Sequence, residues 1–340
     1  MKLTVWELRQ LERLPKSEFR KKVDRAVSAL PLLLAIALLL QYKLVPNLPK
    51  YAANKIAFPI SNVYTVFFGL LAVALLVYFI SSLFSEKIYD KLLYKAPLYS
   101  VIITIVGLYD LATLKTGVLQ MPYFPWVDRI LLAIINDRVV LLDCVKNSLV
   151  LLFTGYLSGV VIGLITGIGA GWSLRIRYWV TPILRFLGPI PSTTWISIIL
   201  IVASSLFGGS VFLIALGVWY PVTMSAFNGV LSVERSNFEV AKTFGVSKIG
   251  LIFKVAIPAA MPSIFNGLTQ GMSIACTALM VAEMLGVESG LGWYINWQRG
   301  WAEFAKMYAA VIIICLTFTV VNIVLTLTKK RVLRWQEGKV

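Results

Sequence analysis

Long apolar runs separated by short polar segments set the pattern of this chain. Eight runs can cross a hydrocarbon layer of about 30 Å as helix, which takes roughly 20 apolar residues. They lie near residues 27–45, 61–84, 97–115, 147–171, 178–206, 210–231, 261–284 and 308–328. The expected fold class is therefore all-α, a polytopic membrane protein of about eight transmembrane helices. The fifth run is long and interrupted by Gly188-Pro189-Ile190-Pro191, which predicts two segments joined by a bend. The first 26 residues hold eight basic side chains and no apolar span, so they do not read as a cleaved signal sequence. There Val5, Leu8, Leu11 and Leu14 alternate with Arg9, Arg13 and Lys16. That spacing fits either a basic amphipathic helix on the membrane surface or a solvated charge run.

Composition agrees with the pattern: 59% of residues are hydrophobic and 14% charged. The net charge of +16 does not point to nucleic acid in so apolar a chain, because Lys and Arg concentrate in the cytoplasmic loops of membrane proteins. With the N-terminus inside, 23 of the 32 Lys and Arg residues fall in cytoplasmic segments and nine on the other side. Both termini are then expected in the cytoplasm of a multi-pass cell-membrane protein surrounded by lipid. The chain has no histidine, which removes histidine metal sites, imidazole catalysis and histidine proton relays. Cys144, Cys276 and Cys315 are far apart and read as small buried hydrophobes. No G-x-x-x-x-G-K-[ST] occurs, so no nucleotide-hydrolysing P-loop is present. No cofactor, metal site or catalytic residue is expected.

One polar run stands out between two spans, from Glu234 to Pro258. Its chemistry predicts a short helix, a glycine corner and a second short helix. Ser236-x-x-Glu239 has the form of a capping box. Gly245 sits where a helix end favours positive φ. Ser247 is placed to cap the second helix and Pro258 to stop it. An ordered, exposed knob of this kind suits docking into a partner's groove; a merely capped loop is the plainer alternative.

The same residues carry a family resemblance. Glu239-Val240-Ala241, then Gly245, then Val255-Ala256-Ile257-Pro258 resembles the "EAA" signature of permease subunits in binding-protein-dependent ABC importers. The glutamate, second alanine, glycine and proline are kept. Val240, Val255 and Ile257 depart from the family pattern by small or branched apolar replacements. From about residue 97 to 335 the order of features is similar to the branch handling nitrate, taurine and alkylsulfonates. It includes the Pro-punctuated stretch Met121-Pro122-Tyr123-Phe124-Pro125, and the helix bearing Gly159, Gly163, Gly167 and Gly171 at every fourth position. That stripe fits a close-packing face or, less specifically, a flexible helix. The break Leu187 to Trp195 follows. Ala282-Glu283, with Ser289-Gly290-Leu291-Gly292-Trp293-Tyr294-Ile295, then resembles the Ala-Glu … Ser-Gly-Leu-Gly-Tyr-Leu-Ile element of that branch.

The resemblance implies a type I importer permease core of six spans over 96–340, preceded by a 1–95 extension with two spans. It implies two protomers, taken as a permease homodimer, on a cytoplasmic ABC ATPase dimer, with a separate extracytoplasmic substrate-binding protein. ATP hydrolysis then belongs to another subunit, and this chain is not an enzyme. Coupling to the ATPase falls on the 234–258 loop through Ser236, Glu239, Ala241, Lys242, Gly245, Ile257 and Pro258. Glu239 either caps its helix or touches the ATPase. A polar path for a small anion falls on the broken helix: Pro189, Pro191, Ser192, Thr193 and Thr194. Freed backbone N–H groups and hydroxyls there suit an anion, although the prolines offer no N–H. The competing account is a proline kink with hydroxyls bonded back to the helix. Glu283, near the outer end of the seventh span, is either a gate or binding-protein contact, or an inexpensive interfacial acid.

Rival classes lack their signatures. A gradient-driven secondary transporter often shows two similar halves with mid-membrane acids; no such repeat is visible, and Asp110 lies near a span end. The substrate is not written in the chain.

Overall fold

The computed structural model describes residues 18–53 and 59–335, and among these every regular element is helical. The amphipathic pattern over Val5 to Lys16 lies outside the described residues. The chain divides into two compact units, 1–135 and 136–340. The expected boundary at residue 95 thus falls inside a helix. The cause lies in that helix itself: Ala96, Ser100, Ile103 and Gly107 present a buried face to the preceding helices.

The first unit contains α1 (Glu18–Leu44), the short α2 (Pro49–Ala53), α3 (Val63–Phe84), α4 (Glu86–Asp110) and α5 (Val127–Asn136), whose last residue opens the second unit. A wider π turn, Leu111–Lys115, continues α4. Ala35, Leu38, Tyr64, Phe68, Ala72 and Ile103 form the core. Two buried charges close the helix ends. Asp128 accepts from the Ser61 and Tyr64 N–H groups at 2.6 and 2.9 Å, satisfying donors at the start of α3. Lys115 Nζ donates to the Tyr42 and Val45 carbonyls and to Asn47 Oδ1, each at 2.7 Å, and so neutralises the negative end of α1.

The second unit contains α6 (Arg138–Trp172), α7 (Leu174–Leu187), a 3-10 turn (Ser192–Trp195), α8 (Ile196–Val202) and α9 (Leu206–Leu231). It continues with α10 (Arg235–Thr243), α11 (Lys248–Leu251), a π turn (Ile252–Ala256), α12 (Ile257–Gly286), α13 (Leu291–Gly300) and α14 (Phe304–Val332). Across the whole chain, seven helices among the described residues are long and apolar enough to span a membrane. The fifth expected span, 178–206, is instead three short pieces broken at Gly188–Pro191.

α6 and α9 form the centre of this unit. In a bilayer, helix association depends on close packing more than on the hydrophobic effect. The glycine stripe provides that closeness. A Cβ at Gly159 would lie 2.6 Å from the Ala215 carbonyl oxygen, at Gly163 2.9 Å from Val222 Cβ, at Gly167 2.5 Å from the Thr223 carbonyl oxygen, and at Gly171 2.7 Å from Val230 Cβ. Partner numbers rise together along both helices, so α6 and α9 run parallel. Gly155, one step before the predicted stripe, continues it against Ile214. α12 packs antiparallel against α9, with Gly267 against Ser225 and Gly229 against Ser263, and also touches α6, where the Tyr156 hydroxyl donates to the Leu268 carbonyl at 3.0 Å. Leu151, Leu152, Tyr156, Ile214, Val218, Val222, Met272 and Leu279 fill the core between the three.

Candidate functional site

Three places in the second unit hold the residues singled out from the sequence. The first is the 234–258 loop. α10 ends in a Schellman corner: Gly245, at φ +74°, donates to the Lys242 carbonyl, and Val246 donates to the Ala241 carbonyl. Ser247 Oγ accepts from the Gly250 N–H at 3.2 Å and caps the next helix. The loop is held to the body by Phe238, which packs on the Ala226–Ile264 core and meets the Trp172 ring edge-on at 5.9 Å.

Two expectations for this loop need correction. The Ser236–Glu239 capping box does not form, because the helix starts earlier, with Glu234 as its first cap residue and Arg235 as its first helical residue. That puts Ser236 inside the first turn, where its hydroxyl donates to the Glu234 carboxylate at 3.3 Å. Pro258 does not stop the second helix. The preceding π turn, Ile252–Ala256, widens the backbone so that the proline ring is accommodated, and Lys248–Leu285 continues as one span. Glu239 and Lys242 are both exposed, and no ion pair joins them among the described residues. Apolar side chains stand out among the exposed charged ones. Val240, Phe244, Ile249 and Phe253 are exposed, Phe244 to 82%.

The second place is the broken helix. α7, the 3-10 turn, α9 and α12 enclose a cavity of about 420 Å³. Pro191, Ser192 and Thr193 line it, whereas Pro189 and Thr194 are exposed outside its lining. Ser273 and Thr277 of α12 add two more hydroxyls, and Trp195, Trp219 and Tyr220 provide aromatic walls. Residues from α9 and α12 escaped the sequence argument because nothing local marks them; they are ordinary members of apolar helices. Gly188 is required at the break, since a Cβ there would run into the Tyr220 ring. Among the described residues, the Ser192, Thr193 and Thr194 hydroxyls make no side-chain hydrogen bond to the protein, so the kink is not held by hydroxyls bonded back to the helix.

The third place is the turn after α12. Glu283 is 1% exposed, and its Oε2 accepts from the Gly292 N–H at 2.7 Å. It neither lines the cavity nor faces solvent, so the sequence-based placement of Glu283 with the path residues gives way to a buried anchoring position. The same segment is pinned to α6 by Leu291 N–H donating to Ser148 Oγ at 2.9 Å and by Asn147 donating to Ser289 Oγ at 2.8 Å. Gly290 adopts φ +149°, and a Cβ there would collide with the Glu283 carboxylate. Beyond it, the Tyr294 hydroxyl donates to Asp137 Oδ2 at 2.6 Å, and Lys306 pairs with the same oxygen at 3.1 Å. Burial and the Asp137 carboxylate push the Tyr294 phenol well above its ordinary range.

This succession of a close-packed helix pair, a broken helix, a cornered loop and a pinned outer turn coincides with a sequence-family match. Residues 159–335 match the binding-protein-dependent transport system inner membrane component family, more than half of the chain. The chain belongs to this family. The permease is 32% identical over 184 residues to a Bacillus subtilis (strain 168) protein named as an aliphatic sulfonates transport permease, SsuC. That match covers 54% of this chain and 67% of the relative. It is 26% identical over 188 residues to the taurine transport system permease protein TauC of Escherichia coli (strain K12), covering 55% and 68%. An inward-facing structure of the MetNI methionine ABC transporter aligns with a TM-score of 0.50 at 18% identity, covering 58% of this chain and 98% of that one. At that identity the likeness bears on the fold alone, which is that of an ABC-importer permease. The chain is thus an inner-membrane transport subunit and not an enzyme.

Proposed function

We propose that this permease forms the membrane path for a small organic anion of the sulfonate class, delivered by a separate binding protein and driven by a separate cytoplasmic ATPase. The observation that carries the coupling part is the cornered loop. Its Schellman bonds hold α10 and α11 in a fixed angle while Phe244, Ile249 and Phe253 stand out from the body. Exposed aromatic and aliphatic side chains on a rigid knob are the anchors that a partner's groove desolvates. Gly245 has open space around its α-carbon, which leaves room for a close backbone approach. The 23-to-9 distribution of Lys and Arg favours placing this loop and both termini in the cytoplasm.

The transport part rests on the cavity at the helix break. The Ser192 and Thr193 hydroxyls, Ser273 and Thr277 whose hydroxyls donate back to α12 carbonyls, and Trp195, Trp219 and Tyr220 give a weakly polar, uncharged pocket. Such a pocket passes an anion without trapping it, because no cation stands in its wall. The sulfonate class is taken from the names of the SsuC and TauC relatives. Two copies of the permease would sit together on two ATPase subunits. The decisive experiment reconstitutes the permease with its ATPase and binding protein in liposomes. Taurine or an alkylsulfonate should raise ATP turnover and accumulate inside. Turnover that ignores every sulfonate while responding to another solute would remove the substrate assignment and leave the coupling intact.

A further inference from the structure

Charged and polar side chains cluster in the first unit, ahead of the residues 159–335 that match the family. Among the described residues, three charges are buried there: Asp110 and Asp128 at 0% exposure and Lys115 at 7%. Two have evident tasks. Asp128 satisfies the first N–H groups of α3, and Lys115 closes the carbonyl end of α1. Asp110 has none. Among the described residues, neither of its carboxylate oxygens has a hydrogen-bond partner, and the hydroxyls of Tyr42 and Tyr64 are equally buried and unpartnered. The two phenol rings stack at 4.1 Å with their planes 16° apart. Lys115 Nζ lies over the Tyr42 ring, 5.0 Å from its centroid.

Leaving so many oxygens unsatisfied inside a membrane unit is costly, since water is not at hand to solvate them. The buried charges also sum to one negative. One monovalent cation restores neutrality; a divalent ion would overshoot and demands six to eight oxygens. The available donors are carboxylate and phenol oxygens, hard ligands that suit an alkali cation and not a transition metal. We propose that Asp110, Tyr42 and Tyr64 form a binding site for a monovalent alkali cation, sodium in the first instance, which ties α1, α3 and α4 together. Asp110 carries the charge, the phenols supply neutral oxygens, and Lys115, held by three other acceptors, stays out of the ligand set.

Amide hydrogen exchange on the purified full-length permease reads the site locally. Residues 38–47 and 107–116 should exchange about tenfold more slowly in sodium chloride than in choline chloride at equal ionic strength and pH, with a saturable midpoint. Asp110→Asn should abolish the difference. Tyr64→Phe, which keeps the ring and deletes one oxygen, should raise the sodium midpoint without abolishing saturation, and serves if the Asn variant fails to fold. Identical exchange in sodium and choline would overturn the proposal and assign the Asp110 site to a bound proton or water. Slowing that survives Asp110→Asn would overturn it equally, because the cation would then sit elsewhere.

Discussion

Glu283 on α12 accepts a hydrogen bond from the backbone N–H of Gly292 at 2.7 Å, nine residues further along the chain. This one bond closes the turn between the last residues of a membrane span and the α13 helix, and the bare α-carbon of Gly290 makes room for the carboxylate. An acid that the sequence offers as a gate, a partner contact or an interfacial group is buried here with its Oε2 holding the turn.

Replacing it tests that position. Glu283→Ala should leave the buried Gly292 N–H without an acceptor, costing about 1–3 kcal/mol. Glu283→Gln, which keeps a carbonyl oxygen at the site, should cost less. Thermal unfolding of the purified permease and protease susceptibility across 287–300 check the order. Equal behaviour of the two variants and wild type would remove this role.

The glycine stripe makes a prediction of opposite signs. Gly167→Ala places a methyl group 2.5 Å from the Thr223 carbonyl oxygen, and neither backbone can yield cheaply. Destabilisation of about 1–3 kcal/mol is expected. Gly69→Ala, within α3, meets nothing within 4 Å and should stabilise by about 0.5–1 kcal/mol through reduced chain freedom. Melting temperatures of both variants against wild type decide it.

At the loop corner, Gly245→Val meets open space but must adopt φ +74°, which a β-branched residue resists. The strain amounts to about 1–3 kcal/mol. The permease should still insert, while co-purification of the ATPase and substrate-stimulated ATP turnover fall. Gly245→Asn, which tolerates the left-handed region, should retain most of both. Unchanged turnover in the valine variant would take the corner out of the coupling mechanism.

Adjacent threonines at the break separate path from structure. Thr193 lines the cavity and Thr194 does not. Thr193→Val should reduce uptake at normal membrane abundance, and Thr194→Val should not. Partial loss is expected, because Ser192, Ser273 and Thr277 share the lining. A parallel fall in abundance and uptake for Thr193→Val would point to folding instead.

Orientation is open to direct labelling. With Cys144, Cys276 and Cys315 replaced, single cysteines at Lys248 and at Lys50 should react from opposite faces of the membrane, Lys50 from outside. Labelling of both by an impermeant external reagent would reverse the charge-based topology.

Much of this architecture is local chemistry and could be read along the chain. The apolar runs give the spanning helices, Gly188-Pro189-Ile190-Pro191 breaks the fifth, and Gly245 turns the corner, since each depends on residues adjacent in sequence. The spacing of Gly159 to Gly171 likewise announces a close contact. What it meets was not readable. α6 is apolar on all sides, so no periodic asymmetry tells which helix lies opposite its glycines; the answer, α9 in parallel, depends on a crossover through the broken segment. The start of α10 likewise departs from what spacing alone implies. Ser236 and Glu239 have the right spacing, but the helix already begins at Arg235 with Glu234 as its cap. The burial of Glu283, the capping of α3 by Asp128 from more than sixty residues away, and a cavity drawn from α7, α9 and α12 all join residues distant along the chain. Sequence by itself determined which elements exist and where they bend, because backbone propensity and hydrophobic length are short-range. Only the tertiary structure decided which polar groups are buried together, because that depends on which helices the close packing brings side by side.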